Sequence, residues 1–474
     1  MQRKLSRTAA FILAFAACCA LSLCRATAAP PAGEFKVPVE YYKLANGLRV
    51  VLSPDHTAPT VCVAVYYRIG FRVEPRDRTG FAHLFEHMMF QGSKNLGKME
   101  FIRLVQSNGG LLNGSTRFDF TNYFEVLPSN KLETALWAEA DRMGGLDVSE
   151  ANLVNQKGVV TNEVKVNVIN QPYGGFPWLD MPQYANTNWY NAHNFYGDLN
   201  DIEAATLADV QSFHATYYAP NNAALAIVGD FDSAQAKQWV EEYFGPIGPS
   251  QLPPQPNLTE PVQKKEKWAM KQDPLIKRPA LAFAYHMPAR NTPEYYAMGL
   301  LDRILVQGND SLLYQELVQK RGFTSEVDGG INYLGNMYDY NGPMLWMANL
   351  TYDPSTTPQA IMQAVDSVID PLLAAPIDQK TLDRARVKLR SDLYDNMGQV
   401  GGFGLADMLA SFALFDDNPA RINSLDAEFQ KVTPALIEKT AQEYLRRGNR
   451  TILIDQPASA PAASAPANNQ KGGR

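Results

Sequence analysis

The chain has 474 residues, 46% of them hydrophobic, a formal net charge of −6 and only four cysteines. That length and apolar fraction allow large cores. The acidic balance argues against nucleic acid as a partner, and so few cysteines exclude a disulfide-built scaffold.

In chain order, the N-terminus comes first. Arg3, Lys4 and Arg7 form a basic start, residues 9–23 are an uncharged apolar run, and Ala26-Thr27-Ala28 offers a small-residue cleavage site. Residues 1–28 therefore read as a secretory signal peptide, too short for a comfortable membrane span. The protein is expected to be exported, and periplasmic if its source is Gram-negative. A lipoprotein anchor at Cys18 fits less well, because apolar sequence continues past it. Cys18, Cys19 and Cys24 fall in the leader, which leaves Cys62, in an apolar run, as a core residue. Without the leader's four basic residues, 39 basic side chains face 49 acidic ones. That balance suits cationic peptide substrates through long-range steering, and equally suits plain solubility.

Residues 59–66 read as a strand, followed by a helix that ends at Phe90-Gln91-Gly92; residues 131–143 and 202–217 read as further helices. A Pro-rich linker runs over about 248–265. Beyond it the pattern recurs, with a strand at 279–285 and a helix ending at Val306-Gln307-Gly308. This is a long-period internal repeat. Strands mixed with long helices predict α+β halves, each a mostly antiparallel sheet covered by helices. The expected division is 29–248, a linker at 249–265, 266–456, and an Ala/Pro/Ser-rich tail at 457–474 that lacks the apolar surface to fold.

The chemistry concentrates in His83-Leu84-Phe85-Glu86-His87, which reads H-x-x-E-H. On a helix, positions i and i+4 share one face, so His83 and His87 can aim two imidazoles at one metal ion. Glu86 falls about 60° off that line, within reach of a metal-bound water. The apolar neighbours Phe81, Leu84, Phe85, Met88, Met89 and Phe90 predict a buried helix, in which two histidines and a glutamate are costly without partners. Two imidazoles with a carboxylate suit zinc. A third ligand is expected from the segment 153–164, where Glu163 follows His87 after 75 intervening residues. The 216-residue offset from Gln91 to Gln307 carries His83, Glu86 and His87 onto Gly299, Asp302 and Arg303. One zinc ion per chain, in the 29–248 domain, is therefore expected, and 266–456 is a homologous domain without a metal site.

With this motif, gap and Lys157-Gly158-Val159-Val160 run, the chain resembles the inverzincin metallopeptidases: pitrilysin, insulysin and the mitochondrial processing peptidases. Leu44-Ala45-Asn46-Gly47-Leu48, Gly109-Gly110-Leu111-Leu112-Asn113-Gly114-Ser115 and Tyr217-Tyr218-Ala219-Pro220-Asn221-Asn222 follow the family's order. The resemblance implies that His83, His87 and Glu163 bind zinc and that Glu86 is the general base. It also implies that the two halves form half of a clamshell chamber closed by a second subunit, and that substrate backbone lies along the strand near 111–117, with Asn113, Gly114 and Ser115 as contacts. Two departures stand out. Gln156 replaces a carboxylate that many relatives place beside the metal ligands. Val318 and Ser325 stand where relatives carry a substrate-positioning Arg and Tyr; Arg321 is a nearby substitute facing differently.

The expected function is zinc-dependent hydrolysis of extended or unfolded peptides, by the catalytic subunit of a heterodimer. Its homologous partner would lack H-x-x-E-H and supply the Arg/Tyr pair. The alternatives are a non-catalytic or weakly active peptide-binding clamshell and a protease specific for one precursor. His193, in a loop similar to the family's H-P-Y-G, and His214 are expected to be structural.

Overall fold

The computed structural model describes residues 36–458 other than Val148. The expected signal peptide, residues 1–28, and residues 459–474 of the expected tail lie outside the described residues. No single helix among the described residues is long and apolar enough to cross a membrane.

The first half opens with a hairpin, β1 (Glu40–Lys43) and β2 (Arg49–Pro54), turned at Asn46-Gly47. β3 (Thr60–Tyr67) precedes helices α1 (Phe81–Met88) and α2 (Glu100–Ser107). Strands β4 (Leu111–Thr116) and β5 (Thr121–Pro128) follow, then α3 (Leu132–Gly144) and α4 (Glu150–Val164). Helices α5 (Met181–Ala185), α6 (Trp189–Ala192), α7 (Leu199–Ala204) and α8 (Leu207–Tyr217) lead to β6 (Ala223–Gly229) and α9 (Ser233–Phe244). The sheet order is β1-β2-β6-β3-β5-β4, with β2 and β6 parallel and every other pair antiparallel. One expected element differs. Residues 202–217 are not one helix: the chain breaks at Ala205, and Thr206 starts α8 through reciprocal bonds with Asp209. That capping box satisfies backbone N–H groups a continuing helix would have used.

The second half holds β7 (Lys267–Asp273), β8 (Ala280–His286), α10 (Pro293–Leu305), β9 (Asp328–Ile331) and β10 (Leu345–Thr351). It ends with α11 (Pro358–Ala374), α12 (Gln379–Met397), α13 (Phe403–Asp416), α14 (Leu425–Gln430), α15 (Pro434–Tyr444) and β11 (Arg450–Pro457). Its sheet order, β7-β11-β8-β10-β9, repeats β2-β6-β3-β5-β4 strand for strand, down to a parallel pair at the same place. The two halves are therefore one architecture used twice. Gly299, Asp302 and Arg303 lie on α10, where Asp302 accepts the Trp346 indole N–H at 2.7 Å and Arg303 pairs with Asp392 at 3.0 Å.

Both faces of the strands are covered, and the halves cover each other. On one face of the first sheet, Val61, Val63, Val65 and Tyr67 pack with Leu84, Phe85 and Met88 of α1 and Leu136 of α3. The opposite face, with Cys62, Ala64, Tyr66, Ala224 and Ala226, is small and fully buried under α13, a helix of the second half. Phe124 of β5 stacks on Phe403 of α13. In return Phe176, Met181 and Ala185 of the first half pack on Ala280, Ala282 and Ala284 of the second sheet. Strands buried on both faces read as continuous apolar runs, as these do. Cys62 is buried, and burial pushes its thiol pKa up. The linker 249–265 is tied down at both ends of its path. Ser250 donates to the Thr216 carbonyl at 2.6 Å, and Gln263 donates to the Arg450 carbonyl at 2.8 Å.

A buried polar cluster also joins the halves. Tyr66 donates to Asp407 of α13 at 2.6 Å, Asn336 bridges to Asp407 at 3.3 Å, and Asp339 accepts from Asn332 at 2.7 Å and from the Asn336 N–H at 2.9 Å. Burial, then the neighbouring Asp407, push the Asp339 carboxyl up to about 8. A carboxyl that keeps its proton longer when folded loses stability as pH rises from its unfolded value to its folded one. Asp339→Asn removes that loss. In urea titrations the variant should gain on the wild type between pH 5 and pH 8 by at least about 1.4 kcal/mol, one pKa unit's worth. Parallel pH profiles of the two proteins would refute the raised Asp339 pKa.

Candidate metal centre

The site is built from the start of α1. Gly80 precedes that helix with φ +80, and a Cβ there would lie 2.4 Å from the Tyr196 carbonyl oxygen. Only glycine gives both that backbone and that clearance. Glu74, fully buried, takes the Gly80 N–H at 2.9 Å and the Ala82 N–H at 2.5 Å. A carboxylate at this end satisfies free donors and faces the positive end of the helix dipole. Burial raises the Glu74 pKa, with His193 and the two backbone bonds opposing.

His83 is buried and His87 partly so; they meet Glu163, one residue before the end of α4, across the contact between the two helices. The two Nε2 atoms lie 3.3 Å apart, and the Glu163 carboxylate oxygens stand 3.5 Å from His83 Nε2 and 3.2 Å from His87 Nε2. A tetrahedron with ordinary zinc–nitrogen and zinc–oxygen lengths has edges of about 3.3–3.5 Å, so the donor set fits zinc in size and in chemistry. These three residues are the one group of such donors among the described residues. Hydrogen bonds from His83 and His87 hold the Glu163 carboxyl well below the usual range, against the effect of burial.

Glu86 does not join the donor triangle. Its Oε2 accepts the Thr116 hydroxyl at 2.7 Å, which fixes the side chain between α1 and β4. Beside it, the missing side chain of Gly114 leaves room: a Cβ there would come within 3.3 Å of Glu86 Cγ. β4 is an edge strand that pairs only with β5 among the described residues. Asn113 is exposed on it and binds the Gly114 N–H at 3.0 Å, while Ser115 donates across to Asn122 at 2.5 Å. The Asn113-Gly114 pair thus lies within a strand.

Gln156 is buried two turns before Glu163 on α4; its amide donates to Asn155 at 2.9 Å, and no hydrogen bond joins it to either histidine. The residues that do touch the donors are others. Tyr196 donates to Glu163 at 3.3 Å, its ring and that of Phe195 pack against His83, and burial, then Glu163, push its phenol up to about 12. His193 binds the Trp189 and Phe71 carbonyls and lies 3.8 Å from Glu74. His214 is packed among Phe85 and Tyr218, and burial pushes its pKa down to about 4. Tyr196 sits in the loop singled out for His193, so a signal existed; Glu74 and Thr116 carry no local pattern that marks them.

A sequence profile described as Insulinase (Peptidase family M16) matches residues 49–186, and one described as Peptidase M16 inactive domain matches 204–389. The chain belongs to peptidase family M16. Its M16 relatives include zinc protease PqqE of Helicobacter pylori, 26% identical over 424 residues that make up 88% of this chain and 93% of that protein. Among M16 structures, a protease from Helicobacter pylori superimposes with a TM-score of 0.82 at 26% identity, covering 89% of this chain and 100% of the other. An M16 inactive domain from Pseudomonas fluorescens gives 0.77 at 21% identity, with 90% and 99% covered, which shows the shared fold.

Removing the Glu74 carboxylate strands two helix N–H groups in a dry site. Glu74→Ala is expected to lower stability by about 2–4 kcal/mol, read as a shift of the urea midpoint. An unchanged midpoint would show that Glu74 does not hold α1.

Proposed function

We propose that this M16 protein is a zinc-dependent endopeptidase that hydrolyses extended or unfolded peptides, as the catalytic subunit of a heterodimer that is exported, to the periplasm if the source is Gram-negative. The observation that carries the reading is the donor triangle of His83, His87 and Glu163 with Glu86 held beside it. The name of the Helicobacter relative, a zinc protease, supports the same chemistry.

In this reading His83, His87 and Glu163 hold one zinc ion, which when bound acidifies a water and polarises a carbonyl. The chain's own residues do the rest. The open edge of β4 takes an extended peptide by main-chain pairing, which tolerates varied side chains; Asn113, Gly114 and Ser115 lie along that edge. The missing side chain of Gly114 leaves Glu86 its place against that strand. Glu86 accepts a proton from the attacking water at its carboxylate and returns it to the leaving amine. The Thr116 hydroxyl holds that carboxylate in place beside the donor triangle. Tyr196 orients the Glu163 carboxylate, the kind of outer contact whose loss typically costs about 10–100-fold in metal affinity or activity.

The heterodimer rests on what the second half lacks. Val318 and Ser325 offer no charge or phenol, and Arg321 is committed to Glu316 at 2.8 Å. A homologous subunit without H-x-x-E-H would bring the missing Arg/Tyr pair. The same absence favours the second reading, a weakly active or non-catalytic peptide-binding clamshell.

A fluorogenic peptide assay combined with metal analysis separates these. His83→Ala should lose both metal and activity. Glu86→Gln should keep one zinc per chain and lose at least about 100-fold in kcat/KM; cleavage at the wild-type rate would overturn the assignment of the base. Full activity of the isolated chain would overturn the heterodimer, and metal binding without any cleavage, with or without a homologous subunit, would establish the clamshell.

A further inference from the structure

The linker walls a cavity of about 630 Å³, and no residue of the metal centre lines it. That volume is typical of small-ligand sites. One wall is the linker around Leu258; the other is the chain after β8 and before β10, with Met287 and Met344. Three guanidinium groups line it. Arg290 is neutralised by a two-point bond to Asp416, at 3.1 and 2.8 Å. Arg446 donates to the Gln263 carbonyl at 2.8 Å and meets no carboxylate among the described residues.

Arg68 differs from both. Its guanidinium makes no hydrogen bond or ion pair with any described residue, and it lies 6.0 Å from the centre of the Phe415 ring. It is half-buried; burial, then the neighbouring Arg49, lower its pKa, opposed by Asp119, whose carboxylate is held by Arg72 and the Asn341 and Gly342 N–H groups. A half-buried cation with no hydrogen-bonded partner is costly, and the planar fork of arginine matches a carboxylate at two points. Neither carboxylate on the cavity wall answers it: Glu260 is taken by Thr187, Asn188 and Asn191, and Glu443 is exposed. The cavity's surfaces are mixed. Met287, Met344 and Leu258 are apolar, whereas the exposed Asn257 and Asn341 bring side-chain amides, the Asn257 oxygen also accepting the Thr259 N–H at 2.9 Å. A plain hydrocarbon chain would leave those amides facing methylenes; a peptide would not.

We propose that this cavity binds the C-terminal end of a short apolar peptide, its terminal carboxylate on Arg68, its last side chain against Met287 and Met344, and its amide groups on Asn257 and Asn341. The site stands on its own residues and does not depend on the hydrolase reading.

Calorimetric titration of the purified full chain tests it, with N-acetyl-alanyl-leucine, its C-terminal amide and octanoate as probes. The acid should bind at least about tenfold more tightly than the amide, the range of a charge-assisted bond. Arg68→Gln should erase that preference. Leu258→Trp fills the cavity from the linker, leaving Arg68 itself unchanged, and should abolish binding of the acid, while both variants keep the wild-type melting temperature. Equal affinity for acid and amide overturns the proposal. So does a preference that survives both substitutions, which would place the peptide at the metal centre, or octanoate binding more tightly than the dipeptide, which would make this a fatty-carboxylate site.

Discussion

Two imidazole nitrogens and a carboxylate aimed at one point are the constraint from which the first half follows. Their lone pairs face each other at 3.2–3.5 Å, an arrangement that is repulsive unless protons or a cation sit between them. Two separate helices must be held in register to sustain it. α1 is fixed at its start by Glu74 and by the clearance at Gly80. α4 presents its carboxylate at its end, where Tyr196 closes over it. The sheet beneath supplies the rigid floor, with Leu84, Phe85 and Met88 of α1 locked into its apolar face. Precision at a donor cluster comes from elements that cannot move independently.

The second half shows the same fold released from that constraint. On α10 the corresponding positions hold Gly299, Asp302 and Arg303, and their contacts are ordinary: an indole N–H on Asp302 and a salt bridge on Arg303. The repeated architecture survives because its apolar layers do. Function in such a chain belongs to a site grafted on one copy of the fold.

Much of this was legible in the sequence. His83, Glu86 and His87 sit at helical spacing, so their shared face follows from the period alone. The internal repeat was legible because both halves pair an apolar strand with a helix ending at Gln-Gly. Glu163 was recoverable only through family resemblance, since nothing in α4's own pattern marks one glutamate as aimed at a helix some 75 residues earlier. The covering of the sheets was not legible. An unbroken apolar strand says that both faces are buried without saying by what, and α13 comes from about 340 residues beyond β3. The break before α8 was visible in Thr206 and Asp209 but was outweighed by the helical run on both sides. Glu74 had no local signature, because its partners are a helix start and a histidine over a hundred residues away.

The reciprocal packing has a consequence for how the chain comes apart. α13 seals the alanine-rich face of the first sheet, and Phe176, Met181 and Ala185 seal that of the second. Cutting the linker would therefore not liberate two soluble fragments. Each fragment would carry away a helix or loop the other needs and would uncover a flat, greasy sheet. A nicked molecule should stay assembled, its two pieces held by interlocked surfaces instead of by the backbone.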